Sequence, residues 1–303
     1  MCRKRIIRAL ILSALTAALT GSLLYQQILM QSQKIWTVTS YPMNVDVQGM
    51  CYGIEDNEGH FVLVDGGWDD CSWQALQLIA GHGSHVDAWI LTHPHQDHIS
   101  AFLNLYEHGY DFTVDKIYAI DLDPEYYASV VEMYDGGYEF FDRFQKIAEN
   151  LDNVQYVHTG EHYDLIGLDM EILNAYERGN ALYDMDPANT GSIMFRLTAP
   201  KGDTFLFCAD NRREESDYLI DKYGTGLKSK YLQVAHHGTG ATLSLEFDEL
   251  VDPEVAFFDL PEWQVMNPEG YSRPFYDYFT DRGTIVYTFG NPPNMEPHSV
   301  EMR

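Results

Sequence analysis

The stretch Ile90–Ser100, ILTHPHQDHIS, packs three histidines and an aspartate into six positions directly after an apolar run. That run, VDAWIL, reads as a buried strand. In an extended segment residues two apart share a face, so His93 and His95 project to the same side. Asp97 and His98 follow where the chain enters the helical pattern SAFLNLYEHG. Four ligand-type groups therefore converge at the end of a strand, and imidazole with carboxylate suits zinc and related divalent ions. A polar loop that happens to be rich in histidine is the competing reading, and the strand before it and helix after it weigh against that. A strand leading through the cluster into a helix fits a fold made of strand and helix layers.

The rest of the chain supplies such layers. Residues 34–40, 49–54 and 60–65 read as short strands, and DGGWDDCSWQALQLIAGHG breaks the sheet and starts a helix that Gly81 stops. A long helical pattern covers DPEYYASVVEMYDGGYEFFDRFQKIAENL. Further strands are expected at 154–157, 169–174, 192–198, 204–208, 231–235 and 254–258, and helices at 212–223, 243–250 and 272–281. No internal repeat of fixed period, low-complexity tract or interdomain linker interrupts them. Strands with helices between them predict a layered α/β domain over residues 34–290. Residues 291–303 read as a C-terminal tail.

Residues 1–30 differ in kind. MCRKRIIR is basic, and ALILSALTAALTGSLLY carries no charge. This is the layout of a secretory signal or a signal-anchor helix, with the N-terminus inside and the catalytic body extracytoplasmic, either membrane-anchored or secreted. The sequence holds 46 acidic against 19 basic Lys and Arg residues, a formal net charge of −27. That surface repels polyanions and excludes a general nucleic-acid-binding face, although a metal-centred site can still accept one phosphate. The four cysteines include no C-x-x-C spacing, so a thiolate zinc site is not supported. Cys51 and Cys71 are able to pair in an oxidising compartment if the fold brings them together.

The motif THPHQDH resembles the H-x-H-x-D-H signature of the metallo-β-lactamase superfamily, and further segments are similar to that family in its order. FVLVDGG resembles the strand ending in Asp-Gly, with Asp65 supporting the ligands. FLFCAD resembles the strand whose aspartate, here Asp210, bridges two metals. YLQVAHHG resembles the last histidine motif and brings in His236 and His237. The resemblance spans residues 34 to about 290 and implies an αββα sandwich, two mixed β-sheets flanked by helices, behind the N-terminal hydrophobic helix. One position departs from the pattern: ANTGSIMF puts Asn189 where many members carry a further metal-binding histidine. That departure, with GSIMFRL, FCAD and HHG, is similar to the competence-protein branch and to bacterial phosphorylcholine esterases.

The resemblance implies two divalent metal ions, zinc or alternatively manganese. His93 and His95 would hold one; Asp97, His98 and a histidine of the 236/237 pair would hold the other; Asp210 would bridge them. Asp97 would also orient the nucleophilic water. His237 is taken as the ligand and His236 as the residue that contacts substrate or acts as acid, with Asn189 also at the substrate. Neighbouring residues at a strand end give no firm basis for choosing between the two histidines. The expected activity is hydrolysis of phosphoesters by metal-activated hydroxide. Its rivals are β-lactam or other amide hydrolysis with the same metals, and a non-catalytic binding module decayed at Asn189. Trp263 and Tyr271 are candidate aromatic walls, and acidic and aromatic walls would suit a cationic head group such as choline. His60, His82, His85, His108 and His298 lack clustered partners and read as structural or solvated, as do the loop residues His158 and His162.

Overall fold

The computed structural model describes residues 21, 34–130, 137–183 and 186–303. Apart from Gly21, the segment read as signal or anchor lies outside the described residues. No described helix is long and apolar enough to cross a membrane. Trp36–Arg303 forms one compact unit.

Two seven-stranded sheets build this unit. The first contains β1 (Trp36–Ser40), β2 (Cys51–Asp56), β3 (Phe61–Asp65), β4 (His85–Leu91), β5 (Thr113–Ile120) and β6 (Val154–Val157), in that order, with β14 (His298–Met302) beside β1. The second runs β7 (His162–Leu165), β8 (Leu168–Asn174), β9 (Met194–Thr198), β10 (Thr204–Phe207), β11 (Tyr231–Gln233), β12 (Val255–Phe257) and β13 (Ile285–Tyr287). Both sheets are mixed. β14-β1-β2-β3 pair antiparallel and β3-β4-β5-β6 parallel. β7-β8-β9-β10 and β10-β11-β12-β13 repeat that order. β1–β6 and β8–β13 thus follow the same order and directions, while the edge strand beside each run differs, β14 coming last in the chain and β7 ahead of its run.

The strands of the second sheet show why it is covered on both faces. In β10 Phe205 and Phe207 belong to the same core cluster as the first sheet, while Leu206 between them joins the second cluster. β12 alternates the same way, Val255 and Phe257 against Ala256. Tyr52 of β2 meets Phe205, Phe207 and Phe257 edge-on, with ring centroids 5.2–6.2 Å apart, so the inner faces interdigitate. Helices α1 (Ser72–Gly81), α2 (Gln96–Glu107), α3 (Pro124–Val130) and α4 (Gly137–Ala148) contribute Ile79, Phe102, Tyr127 and Phe144 to the first cluster. After the one-turn α5 (Pro187–Thr190), helices α6 (Ser216–Tyr223) and α7 (Leu245–Val251) cover the outer face of the second sheet. The four-residue α8 (Glu262–Val265) and then α9 (Arg273–Asp281) complete that layer through Leu219, Phe247, Val265 and Phe279.

The long helical pattern after Asp123 is helical over α3 and α4, and residues 131–136 between them lie outside the described residues. Two expectations change. Part of the segment read as a C-terminal tail is the edge strand β14, paired over five residues with β1. β5, β7 and β13 were not anticipated. β5 opens with the polar run Thr-Val-Asp-Lys and β13 has only three residues, so neither carries much periodicity. Cys51, Cys71 and Cys208 are separate buried thiols. Cys51 and Cys71 share one small apolar cluster with Met43 and Phe289.

Candidate metal centre

The candidate ligands and Asp65 lie at or just beyond the C-terminal ends of sheet-central strands. β3 ends on Asp65, β4 leads to His93, β10 to Asp210 and β11 to His236 and His237. Because the sheets are topologically alike, Asp65 and Asp210 occupy corresponding places, as do the histidines after β4 and β11. The two halves of the sandwich meet there.

The first half is locked by backbone. Gly66 and Gly67 both donate N–H to the His98 carbonyl, at 2.9 and 3.1 Å, and Ala101 donates back to Gly67. A Cβ on Gly66 would lie 3.1 Å from that of Ala101, so glycine permits this close approach of loop to helix. The Asp65 carboxylate receives the Thr92 N–H at 2.8 Å, the Thr92 hydroxyl at 2.7 Å and Nδ1 of His98 at 2.7 Å. With Nδ1 occupied, His98 turns Nε2 into the site, the usual second-layer arrangement around metal-binding histidine. His93 and His95 lie on one side as the spacing predicted, their rings 4.7 Å apart. His93 is buried and His95 half-buried.

The second half depends on strained backbone. His236 and His237 both have left-handed conformations, φ 49° and 61°, in a turn beyond the end of β11. That turn removes the strand alternation which made the doublet ambiguous. Nε2 of His237 lies 3.2 Å from Nε2 of His98, 3.3 Å from Asp97 and 3.5 Å from Asp210. His236 is more exposed; its Nδ1 sits 2.6 Å from Thr239 Oγ1 and its Nε2 3.7 Å from Asp210.

At these strand ends two sets of ligand atoms fall close enough to share an ion: His93, His98 and Asp210, and Asp97, His98 and His237. His98 belongs to both, whereas His95 belongs to neither and sits at the cavity wall. This grouping differs from the division of ligands that the resemblance implied. Two further sets lie elsewhere, Asp56, Glu58 and His60, and His85, Asp87 and Asp115, and give His60 and His85 clustered partners that the sequence did not show. His60, His82 and His162 lie apart, against Asp56, Glu55 and Asp169.

The donor set fits divalent cations on three observations. Nε2 of His93 and an oxygen of Asp210 are buried without hydrogen-bond partners, which is costly for groups with nothing to bind. Burial would raise the Asp97 carboxyl, but His237 and the His98 charge outweigh it and hold it at about 2. Burial likewise opposes ionisation of Asp210, yet His237 and His98 hold it well below the usual range. Burial lowers His237, and Asp210 and Asp97 reverse this, raising it to about 10. Protons on imidazole thus balance carboxylates here, and a cation displaces such protons when it binds.

Two residues were missed by sequence reasoning, Asp186 and Arg212. Asp186 precedes Pro187 and caps α5. Its Oδ2 receives both Nδ2 of Asn189 at 2.8 Å and Nη1 of Arg212 at 2.7 Å. Asn189 therefore spends its donor on Asp186 and leaves Oδ1 buried and unpartnered. Asp-Pro before a short helix was a legible cap; nothing local indicated that Arg212 would reach it. Together with His95, Asp97, Asp210, His236 and His237 these residues line a cavity of about 310 Å³.

A two-sheet α/β sandwich with a buried His/Asp centre at its strand ends defines a class of metal-dependent hydrolase folds. The sequence matches the metallo-beta-lactamase superfamily over residues 44–258, and the chain belongs to that family. Among solved structures it is similar to the metallo-beta-lactamase fold protein YhfI from Bacillus subtilis, at 17% identity and a TM-score of 0.54, covering 89% of this chain and 100% of that one. It is also similar to zinc-bound PqqB from Methylobacterium extorquens, at 13% identity and a TM-score of 0.50, covering 88% and 99%. A CmlA beta-hydroxylase mutant aligns at 10% identity and a TM-score of 0.51, covering 88% of this chain and 54% of that one. No curated protein matches the sequence.

Proposed function

We propose that this protein is a phosphoesterase using two divalent metal ions, zinc first, with manganese as the alternative. The observation that carries the reading is Arg212 beside the ligand cluster. Among the described residues lining the cavity it is the only arginine or lysine, in a chain of net charge −27. A guanidinium fixed on one side by Asp186 is suited to the equatorial oxygens of a phosphoryl group.

His93, His95, Asp97, His98 and His237 would hold the ions, with Asp210 between them. When bound, the ions supply hydroxide near neutral pH and offset charge growing on the scissile group. Asp65 fixes the tautomer of His98. His236, its Nδ1 engaged by Thr239, offers Nε2 to a substrate oxygen. Asn189 Oδ1 accepts from substrate or water. Asn189 in place of histidine supports placement in the competence-protein and phosphorylcholine-esterase-like branch. The basic flank and apolar run of residues 1–30 support an extracytoplasmic, membrane-associated or secreted protein.

The test combines metal analysis of the purified protein with bis-p-nitrophenyl phosphate, p-nitrophenyl phosphorylcholine and nitrocefin as substrates. Metal-dependent release of p-nitrophenol is expected. Turnover confined to nitrocefin makes the protein an amide hydrolase instead, and metal-free protein inert toward all three leaves a binding module.

A further inference from the structure

A second cavity, of about 420 Å³, adjoins the metal centre, and Arg212 stands in the wall of both. Arg213 and Tyr271 also line it. Tyr271 is 82% exposed, so most of its ring is open to solvent. Its base is fixed against the loop at Gly240, where an added Cβ would lie 2.6 Å from the Tyr271 Cβ. Arg213 has its guanidinium carbon 5.9 Å from the Phe275 ring centroid. The one acid in this wall, Glu214, lies 3.9 Å from Nε of Arg212 with its side chain 63% exposed, so water screens its opposing charge.

The charge balance decides what this cavity takes. Acidic residues outnumber Lys and Arg 46 to 19 in the chain, yet two adjacent arginines stand in this wall. Arg212 is paired with Asp186 behind it at 2.7 Å, and Arg213 stands beside one solvated glutamate. The cationic head group expected beside Tyr271 would meet two guanidiniums and be repelled. An anion would be attracted, and Tyr271 offers a surface for a planar group.

We propose that Arg212, Arg213 and Tyr271 form a subsite for a second phosphate and the ring that carries it. This rests on the phosphoester reading above and makes the substrate an ester with two anionic groups, one scissile and one remote. Arg212 lies between them, and Arg213 and Tyr271 discriminate.

The test compares p-nitrophenyl thymidine 5′-phosphate with and without a 3′-phosphate. The scissile bond and leaving group are the same in both, and only the remote anion differs. The 3′-phosphorylated ester is expected to have a KM at least tenfold lower at similar kcat. Arg213→Ala should erase that ratio, and Tyr271→Ala, at an exposed position that folding tolerates, should raise KM for both nucleosides. Calorimetry supplies a readout independent of turnover: protein stripped with EDTA is titrated with thymidine 3′,5′-bisphosphate, and Arg213→Ala should raise Kd at least fivefold. If neither ester is hydrolysed but this Kd still depends on Arg213, the subsite stands and the phosphoesterase reading falls. Equal kcat/KM for the two esters, or a Kd indifferent to Arg213, overturns the subsite.

Discussion

Asp65 Oδ2 lies 2.7 Å from Nδ1 of His98, and neither side chain is exposed to solvent. The pair joins the end of β3 to the start of α2, and the same carboxylate holds the backbone and hydroxyl of Thr92. One buried anion thereby fixes the ring that serves both candidate ligand groups.

Asp65→Asn should keep the fold and weaken the metal. Asp65 has φ 51°, a conformation asparagine tolerates, so the backbone has no reason to move. The amide cannot hold His98 as a carboxylate does, and metal affinity should fall about 10–100-fold, as for other second-layer changes. Competition with a chromophoric chelator measures this; unchanged affinity would remove Asp65 from the centre.

Asp210→Ala should weaken the binding of at least one metal and lower turnover by orders of magnitude. Its carboxylate lies within 3.2–3.8 Å of His93, His98, His236 and His237. Removing it takes away the one carboxylate close to all four imidazoles and leaves Asp97 beside His237 alone. His60→Ala is the control, because His60 bonds Asp56 in a turn between β2 and β3. Normal metal content and rate in a folded Asp210→Ala protein would refute the two-metal assignment.

Gly238→Ala should disturb the histidine turn from below. Gly238 has φ 80°, and a Cβ there would lie 2.2 Å from the Phe258 ring. Overpacking with an unfavourable φ costs about 1–3 kcal/mol or more. Either the chain unfolds at lower temperature or His236 and His237 shift. A variant matching wild type in both melting temperature and metal affinity would contradict this packing.

Glu215 sets a pH dependence of stability. Burial raises its carboxyl from an ordinary 4.5 to about 8, against the opposing hydrogen bond from the Arg212 N–H. The folded state therefore binds the proton more tightly than the unfolded chain. The stability this contributes is present below about pH 4.5 and is lost as pH rises through about 8. Glu215→Gln keeps an oxygen for Arg212 and cannot ionise. The variant should gain on wild type as pH rises from 5 to 8.5, by on the order of a few kcal/mol. Parallel urea titrations at fixed metal concentration check this, and a difference that stays flat with pH would show Glu215 ionised throughout.

Much of the centre was legible because chemistry and local geometry coincide in short segments. His93 and His95 stand two apart in the short segment between β4 and α2, and their rings lie side by side. Asp97 and His98 enter the site because the helix begins there. The apolar run Phe205–Phe207 marked a strand, and Asp65-Gly66-Gly67 marked the exit from β3. Residue types at fixed spacing are enough for such features.

Contacts between distant segments decided the rest. β14 reads as a tail because its pairing partner, β1, lies some 260 residues earlier. His236 and His237 were indistinguishable until their left-handed turn set Nε2 of His237 among the carboxylates. Asn189 looked like a missing ligand; only the fold shows that its amide nitrogen is engaged by Asp186 and its oxygen buried without a partner. Arg212 drew no notice in an acidic sequence, and acquires meaning from Asp186, 26 residues away. Which residues carry chemistry was written in the order of the chain. Which of their atoms face one another depends on how two topologically alike sheets meet, and no local spacing encodes that.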